Sequence, residues 1–340
     1  VAALYRNGAR NFRLGRQPDL LVYGADGEEF PTPRPELLER LFSAIRKAAP
    51  DLSTLHIDNV NPGTIFHHED TSRAALQAIV RGHTPGDVAA FGMESADPVV
   101  VRENNLKALP EEVLFAIQVV NEEGGDRKKG IPHLLPGLNF ISGLAGETKE
   151  TFRLNQRFLE GVLERGLLVR RVNIRQVMPF PGTPAYEKNT LGKHEREFKQ
   201  FKEWVRQHFD LPMLQKVFPI GTVLRDVVVE VEGATSFGRQ MGSYPLLVGI
   251  PLPIPRRTSM DIVVVDHGMR SVTGLPCPIE VNLLPLSALR WLPHIGKKRA
   301  GLIAAKRPFK NLEEFRAVVG EPTPLDSALS FSLPGVPSDA

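Results

Sequence analysis

Leu138-Asn139-Phe140-Ile141-Ser142-Gly143-Leu144-Ala145-Gly146-Glu147-Thr148 begins as an apolar, strand-like run (Leu138–Gly143) and passes through a glycine-flanked turn. A helical pattern follows around Glu147–Arg165, and then a second strand-like run, Arg171–Met178. Strand, helix, strand at this spacing is the signature of a βαβ unit with parallel strands. Reading outward, the same grammar repeats. Strand-like Val88–Gly92 precedes a helical pattern over roughly 98–121. Thr54–Asp58 precedes a turn at Asn61-Pro62-Gly63 and a helix over Thr71–Arg81, and Phe12–Tyr23 opens the series before a helix beginning at Pro35. Five such units predict an α/β fold, a partial (β/α) barrel over residues 1–190.

Downstream the grammar changes. Residues 191–216 read as a charged helical linker, with its helix near His194–Phe209. Val223–Val231 and Ile262–Val265, punctuated by Gly233, Gly238, Gly242 and Gly249, predict a small all-β module over residues 217–282. Residues 286–320 return to short helical pieces, and 321–340, rich in proline and serine, read as a disordered tail.

Composition narrows the function. The 340 residues are 42% apolar and 24% charged, the balance of an ordinary globular protein. A single cysteine, Cys277, excludes a disulfide within the chain and any cluster held by several of its own thiolates. Flanked by Pro276 and Pro278, it reads as an inert thiol. No apolar run is long enough to span a bilayer, so no membrane partner is expected. No secretory leader pattern opens the chain, and a cytoplasmic location is the expectation. Val1 falls in helix-like Val-Ala-Ala-Leu-Tyr-Arg, which reads as a fragment with its N-terminal part missing. The formal net charge of +3 leaves nucleic-acid affinity to local clustering.

Four segments fall where strands end, the edge at which barrels of parallel strands place their chemistry. Phe12–Gln17 ends a strand in Gly15 and the amide-bearing Gln17. Gly92-Met93-Glu94-Ser95-Ala96-Asp97 offers a carboxylate suited to ribose hydroxyls, with Arg102 one to two helical turns away. Gly143–Thr148 makes a turn able to cup a flat group with main-chain atoms. Val177–Pro184 is a stiff, proline-rich loop.

Taken in order over residues 1–190, these segments resemble the radical S-adenosylmethionine enzymes, in particular the methylthiotransferase-like branch. In that family the second strand closes on leucine, glycine and glutamine with Tyr-Gly soon after, as in Leu14–Gln17 and Tyr23-Gly24. The fourth carries Glu-Ser before an acidic residue, as in Glu94–Arg102; the fifth reads Gly-x-x-Gly-Glu-Thr, and the sixth ends Pro-x-Pro-Gly-Thr, as in Gly143–Thr148 and Pro179–Thr183. The likeness extends to archaeal-type radical enzymes that end in a helix-hairpin-helix. It implies a radical-SAM-type barrel that binds S-adenosylmethionine beside a 4Fe–4S cluster, with an electron donor as partner. Glu94 would hold the ribose, with Ser95 beside it; Gln17 would lie near the methionine moiety, Gly15 would let the cofactor come close to backbone, and Arg102 would grip its carboxylate. Gly143 and Gly146 would leave room beside adenine, and Arg175 or Gln176, which point to opposite sides of a strand, would face the same cavity. Two departures stand out. The family's Cys-x-x-x-Cys-x-x-Cys is absent, which places the cluster ligands in the missing N-terminal part, and Leu106 stands where methylthiotransferases carry arginine.

The C-terminal region supplies the candidate substrate contacts. Leu292–Ala300 resembles a helix-hairpin-helix turn, with Gly296 at the bend, Lys297, Lys298 and Arg299 opening the next helix, and Lys306 and Arg307 closing it. Residues 286–310 hold seven cations and no carboxylate, a surface suited to phosphate backbones. The β-rich module resembles the TRAM domain, and Phe237, Arg239, Gln240 and Tyr244 are the residue types of an RNA surface. The expected function is therefore radical-based modification of a nucleic acid, RNA ahead of DNA, of a methylthiolation-like or related kind. Two rivals stay open: a non-catalytic nucleic-acid-binding protein with a degenerate barrel, and a radical enzyme acting on a protein or small molecule with the hairpin as a docking surface.

Overall fold

The computed structural model describes residues 1–27, 29–127, 130–320 and 322–332. Its chain divides into two compact units, residues 1–217 with 242–244, and residues 218–241 with 245–340.

In the first unit the parallel strands arise in chain order. A short helix α1 (Ala2–Arg6) leads to β1 (Asn11–Arg13), α2 (Pro35–Ala48) and β2 (Thr54–His56). α3 (Pro62–His67), α4 (Glu69–Gly82), β3 (Asp87–Glu94), α5 (Pro98–Glu103) and α6 (Pro110–Gly124) follow. β4 (Leu134–Ser142), α7 (Lys149–Glu164), β5 (Arg171–Gln176), α8 (Pro184–Lys188), α9 (Glu195–Trp204) and α10 (Leu211–Val217) complete the unit. β1 pairs with β2, and β3, β4 and β5 form a three-stranded sheet, every pairing parallel; an isolated bridge, Asn59 to Ala90, joins β2's continuation to β3. This mixed α/β architecture has the five strands that the periodicity predicts.

Parallel strands covered by helices read as apolar on both faces. β3 obeys this: Val88, Ala89, Ala90, Phe91 and Met93 are all buried. β4 and β5 alternate instead. Leu138, Phe140 and Val172 are buried, Phe140 meeting Phe201 of α9 edge-on at 5.8 Å. The other face carries Asn139, Asn173 and Arg175, brought into line by the pairings Gly92–Asn139–Asn173 and Ile141–Arg175. At the C-terminal ends of β4 and β5 one face is thus core, and the opposite, inner face carries the polar Asn139, Asn173 and Arg175 beside Ile141.

Two buried features hold the scaffold. Gly82 ends α4 against α2, where a Cβ would lie 2.3 Å from Phe42 Cγ. The carboxylate of Asp87 accepts from the backbone N–H groups of Ile57 (2.7 Å) and Val88 (2.7 Å) and lies 2.8 Å from His83 Nδ1. It ties the starts of adjacent strands together in the absence of a continuous ladder.

Several boundaries differ from expectation. The helical pattern over 98–121 is two helices, because Asn105 turns left-handed (φ 48°) and Pro110 starts a new helix at its first turn. The linker helix runs on to Val217 through a π-helical turn, Val205–Asp210. The opening strand is confined to Asn11–Arg13.

The second unit holds a closed five-stranded barrel of β6 (Val223–Val231), β7 (Ser236–Gln240), β8 (Leu247–Ile250), β9 (Ser259–His267) and β10 (Ser271–Pro276). Its order around the wall is β6-β7-β8-β10-β9, with β8 and β10 parallel and the other pairs antiparallel. β11 (Ile279–Glu280), α11 (Leu286–Leu289), α12 (Lys297–Lys306), α13 (Leu312–Val319) and β12 (Leu329–Ser330) follow. One core joins barrel and helices: Val263 and Leu275 belong to it together with Leu292, Ala300, Ile303 and Phe315. The stretch expected to be a tail contributes to that core through Leu325 and Ala328, and β12 pairs with β11. Its short, aperiodic pieces conceal these contacts at the level of sequence. Residues 321 and 333–340 of that stretch lie outside the described residues. Among the described residues no helix is long and apolar enough to cross a membrane.

Candidate functional site

Two of the sequence motifs meet at the ends of β3 and β4. After β3, Asp97 caps α5 by accepting from Val99 N–H (2.9 Å), and its other oxygen accepts from Thr151 Oγ1 of α7 (2.6 Å). Asn155 of α7 accepts from Ala96 N–H (2.7 Å), and Asn104 both donates to and accepts from the backbone of Ala145. Gly146 sits so close to α5 that a Cβ would approach Glu103 Cγ to 3.1 Å. The Glu94–Arg102 and Gly143–Thr148 segments are therefore laced into one structure.

Gly143 and Gly146 both adopt left-handed backbone (φ 92° and 77°), which favours glycine. Glu147 closes this turn: it accepts from Gly143 N–H (2.9 Å) and Ser142 Oγ (3.2 Å). Burial pushes its carboxyl up while those hydrogen bonds pull it down. Its role is to staple the loop.

Glu94 is treated differently. A bulge in the β3–β4 pairing lies between Gly92 and Glu94, and Glu94 itself is left-handed at φ 54°. Its side chain folds back over Gly92, where a Cβ would lie 2.8 Å from Glu94 Oε1. Gly92 pairs with Asn139, so the carboxylate lies on the polar inner face. Desolvation, with no hydrogen bond to offset it, pushes this carboxyl up to about 7. Among the described residues Glu94 thus has no hydrogen-bond partner, and it sits at a strand end in a strained backbone conformation.

The remaining candidates have varied surroundings. Ser95 is buried and its hydroxyl accepts from Asp97 N–H (3.1 Å), so it serves the loop. Arg102 is exposed on the last turn of α5. Gly15 is exposed, with a Cβ position 3.5 Å from Asp58; Gln17 is exposed, and its carbonyl accepts from Asn59 Nδ2 (3.1 Å). Arg175 shares the inner face, its Nε 2.7 Å from the side-chain amide of Asn173, while Gln176 lies on the alternate face. Asn139 and Asn173, 3.1 Å apart, are inner-face residues that belong to none of the sequence motifs. The polar–apolar alternation of Arg171–Arg175 is the signal that could have found them.

In the second unit, α12 starts at Gly296 without a side-chain cap, and Lys297, Lys298, Arg299 and Lys306 are exposed. Arg299 donates to the carbonyl of His294 (3.0 Å). Arg307 turns inward and donates to Leu284 O (2.5 Å), away from the cationic surface. On the barrel, Phe237 is 38% exposed, Arg239 is paired with Glu230, and Gln240 donates to Arg225 O. Tyr244 belongs to the first unit, where the Arg171 guanidinium lies 4.7 Å from its ring centre. Desolvation raises the Cys277 thiol above its ordinary range, the direction of an unreactive group. Among the described residues no three His, Cys, Asp or Glu side chains are grouped to hold a metal ion.

No protein-family profile matches the chain. It is 47% identical over 325 residues to an uncharacterised protein of Archaeoglobus fulgidus, covering 94% of this chain and 61% of that protein. It is also 47% identical over 283 residues to an uncharacterised protein of Methanocaldococcus jannaschii, covering 81% of this chain and 52% of that one. The chain thus spans between about half and three-fifths of the length of these relatives. Among solved structures it is similar to the radical S-adenosylmethionine methyltransferase TsrM of Kitasatospora setae (TM-score 0.38, 15% identity, 54% of this chain and 31% of that one). Another is coproporphyrinogen III oxidase HemN of Escherichia coli, described as a radical SAM enzyme (TM-score 0.38, 17% identity, 55% of this chain and 39% of that one).

Proposed function

We propose that this chain is the cofactor-binding and substrate-binding part of a radical S-adenosylmethionine enzyme that modifies a nucleic acid, RNA in preference to DNA. The observation that carries the reading is Glu94: a carboxylate held over Gly92 on a polar face, desolvated and without a partner. A ribose diol brings two hydroxyl donors and satisfies such a group. The glycine pair 143 and 146, fixed by Glu147 and laced to α5, supports a flat heterocycle alongside. Arg175, on the same inner face, suits a carboxylate through its guanidinium fork.

The 4Fe–4S cluster of such an enzyme supplies the electron that cleaves S-adenosylmethionine to a 5′-deoxyadenosyl radical. Its thiolates come, in this reading, from residues outside this chain, whose one cysteine is Cys277. The chain's own residues bind and orient the nucleoside half of the cofactor. In the second unit, Lys297, Lys298, Arg299 and Lys306 supply phosphate contacts.

The test is calorimetric binding of S-adenosylmethionine and of 5′-deoxyadenosine to the 340-residue chain. Glu94→Ala is expected to weaken both by about tenfold or more, the worth of hydrogen bonds to a charged acceptor. Equal affinity in the variant overturns the assignment.

A further inference from the structure

The second unit encloses a cavity of about 290 Å³ beside the N-terminal turn of α12. Its walls include Ile295, Phe315 and Leu325, each at most 6% exposed. Phe315 is clamped between two other rings, Phe309 edge-on at 5.5 Å and Phe331 at 5.8 Å. Thr323, in the same wall, is held through Asp326. Asp326 accepts from Thr323 N–H (3.2 Å) and Thr323 Oγ1 (2.9 Å), and Arg316 Nε donates to it (2.9 Å). The cavity is preformed, with Phe315 held in its wall by the two neighbouring rings.

The lining is mixed, with His294, Arg299 and Thr323 sharing it with the apolar side chains. His294, left-handed at φ 62°, and Arg299 line the cavity; Arg299 is exposed, holds the His294 carbonyl and adjoins Lys298 in sequence. Lys297, Lys298, Arg299 and Lys306 are exposed nearby and the stretch 286–310 carries no carboxylate, which selects a polyanion. A dry cavity of about 150 Å³ already admits a benzene ring, so this one has room for a two-ring heterocycle. Small-ligand sites begin at ~300 Å³. A ring with polar edges, attached to a phosphate chain, matches the size, the mixed lining and the charge together.

We infer that this cavity receives one unpaired purine base of a single-stranded RNA whose flanking phosphates lie against Lys297 and Lys298. The inference rests on the nucleic-acid reading of this unit and adds base capture to it. A hairpin that grips only the backbone is indifferent to whether a base is present. A stacking cavity is not.

The experiment is fluorescence anisotropy of the 340-residue chain with a labelled single-stranded purine RNA and a series in which each nucleotide in turn is an abasic riboside. One abasic position is expected to weaken binding by about tenfold, and the others by far less. Leu329→Trp, which places an indole in the cavity from β12, should bring the intact RNA down to the affinity of that abasic one. The same variant should remove the abasic effect. The double substitution Lys297→Glu and Lys298→Glu should weaken every oligomer alike. If no abasic position matters to the wild-type chain while the double variant still loses binding, base capture is wrong and the phosphate surface stands. If the wild-type chain binds no oligomer, the nucleic-acid reading falls and base capture with it. The abasic series needs no variant and decides the matter alone if Leu329→Trp does not fold.

Discussion

Replacing Glu94 by glutamine should stabilise the first unit at alkaline pH and leave it unchanged at acid pH. The carboxyl is raised from an ordinary 4.5 to about 7 by burial without a compensating hydrogen bond. At ~1.4 kcal/mol per tenfold change in proton affinity, the ionised form costs the folded chain about 3 kcal/mol. The direction follows from proton binding. Between pH 4.5 and 7 the folded state keeps a proton that the unfolded state has lost, so stability falls as pH rises through that window. Below it both states are protonated and the cost vanishes. The amide introduced by Glu94→Gln cannot ionise and avoids the cost at every pH.

Trp204 of α9 lies in the first unit and Trp291 in the second, so a Trp291→Phe background isolates a fluorescence reporter for the first. Urea midpoints should then differ by about 1 M at pH 8, taking ~3 kcal/mol per M for a unit of this size. The two proteins should converge by pH 4.5. Curves that run parallel across the whole range would refute the idea of an unsatisfied buried carboxylate. The same logic governs the ligand. A diol that donates to the carboxylate favours its ionised form, so affinity for 5′-deoxyadenosine should drop as pH falls below about 7 in the wild type and stay flat in Glu94→Gln.

Asp87→Ala should destabilise the first unit by at least ~3 kcal/mol, because it strands the buried N–H groups of Ile57 and Val88 and the ring nitrogen of His83; thermal melts would read this directly. Gly82→Ala should cost ~1–3 kcal/mol in denaturant midpoints, since the added Cβ meets Phe42 at 2.3 Å, and a paired Phe42→Leu substitution should recover part of it. Reversing Lys297, Lys298 and Arg299 to glutamate should reduce single-stranded RNA affinity with little change in the melting temperature, and should lower the slope of log affinity against log salt by about 2.

Much of the first unit is legible in the sequence because hydrophobic period and turn chemistry agree there. Leu138–Ser142 is strand by composition, the helix after it opens on Thr148, whose hydroxyl accepts from Glu150 N–H, and β5 alternates polar and apolar from Arg171 to Arg175. What escapes is set by local backbone geometry and long-range contact. Nothing in the run 98–121 separates a solvated Asn105 from one that turns the chain left-handed. Leu325 and Ala328 lie in an aperiodic stretch and gain their burial from helices far earlier in the chain. Arg307 counts among the seven cations of 286–310, yet its guanidinium turns to a backbone carbonyl; composition counts charges without saying where they point.

The two strand-end glutamates show which part of a motif is scaffold. Glu94 and Glu147 occupy similar places in sequence, each shortly after a glycine at the end of a parallel strand. Burial raises both carboxyls. Glu147 recovers part of that cost inside the fold, through Gly143 N–H and Ser142 Oγ, and the turn it closes explains its presence. Glu94 recovers nothing: it sits at φ 54°, a conformation that costs about 1–3 kcal/mol, and its carboxylate bears a further ~3 kcal/mol when ionised. A residue that loses on both backbone and side chain, in a strand otherwise buried and well paired, is accounted for by an interaction the folded chain does not itself contain. In the function proposed above, the donors that satisfy it arrive with a ligand, on the face it shares with Asn139, Asn173 and Arg175.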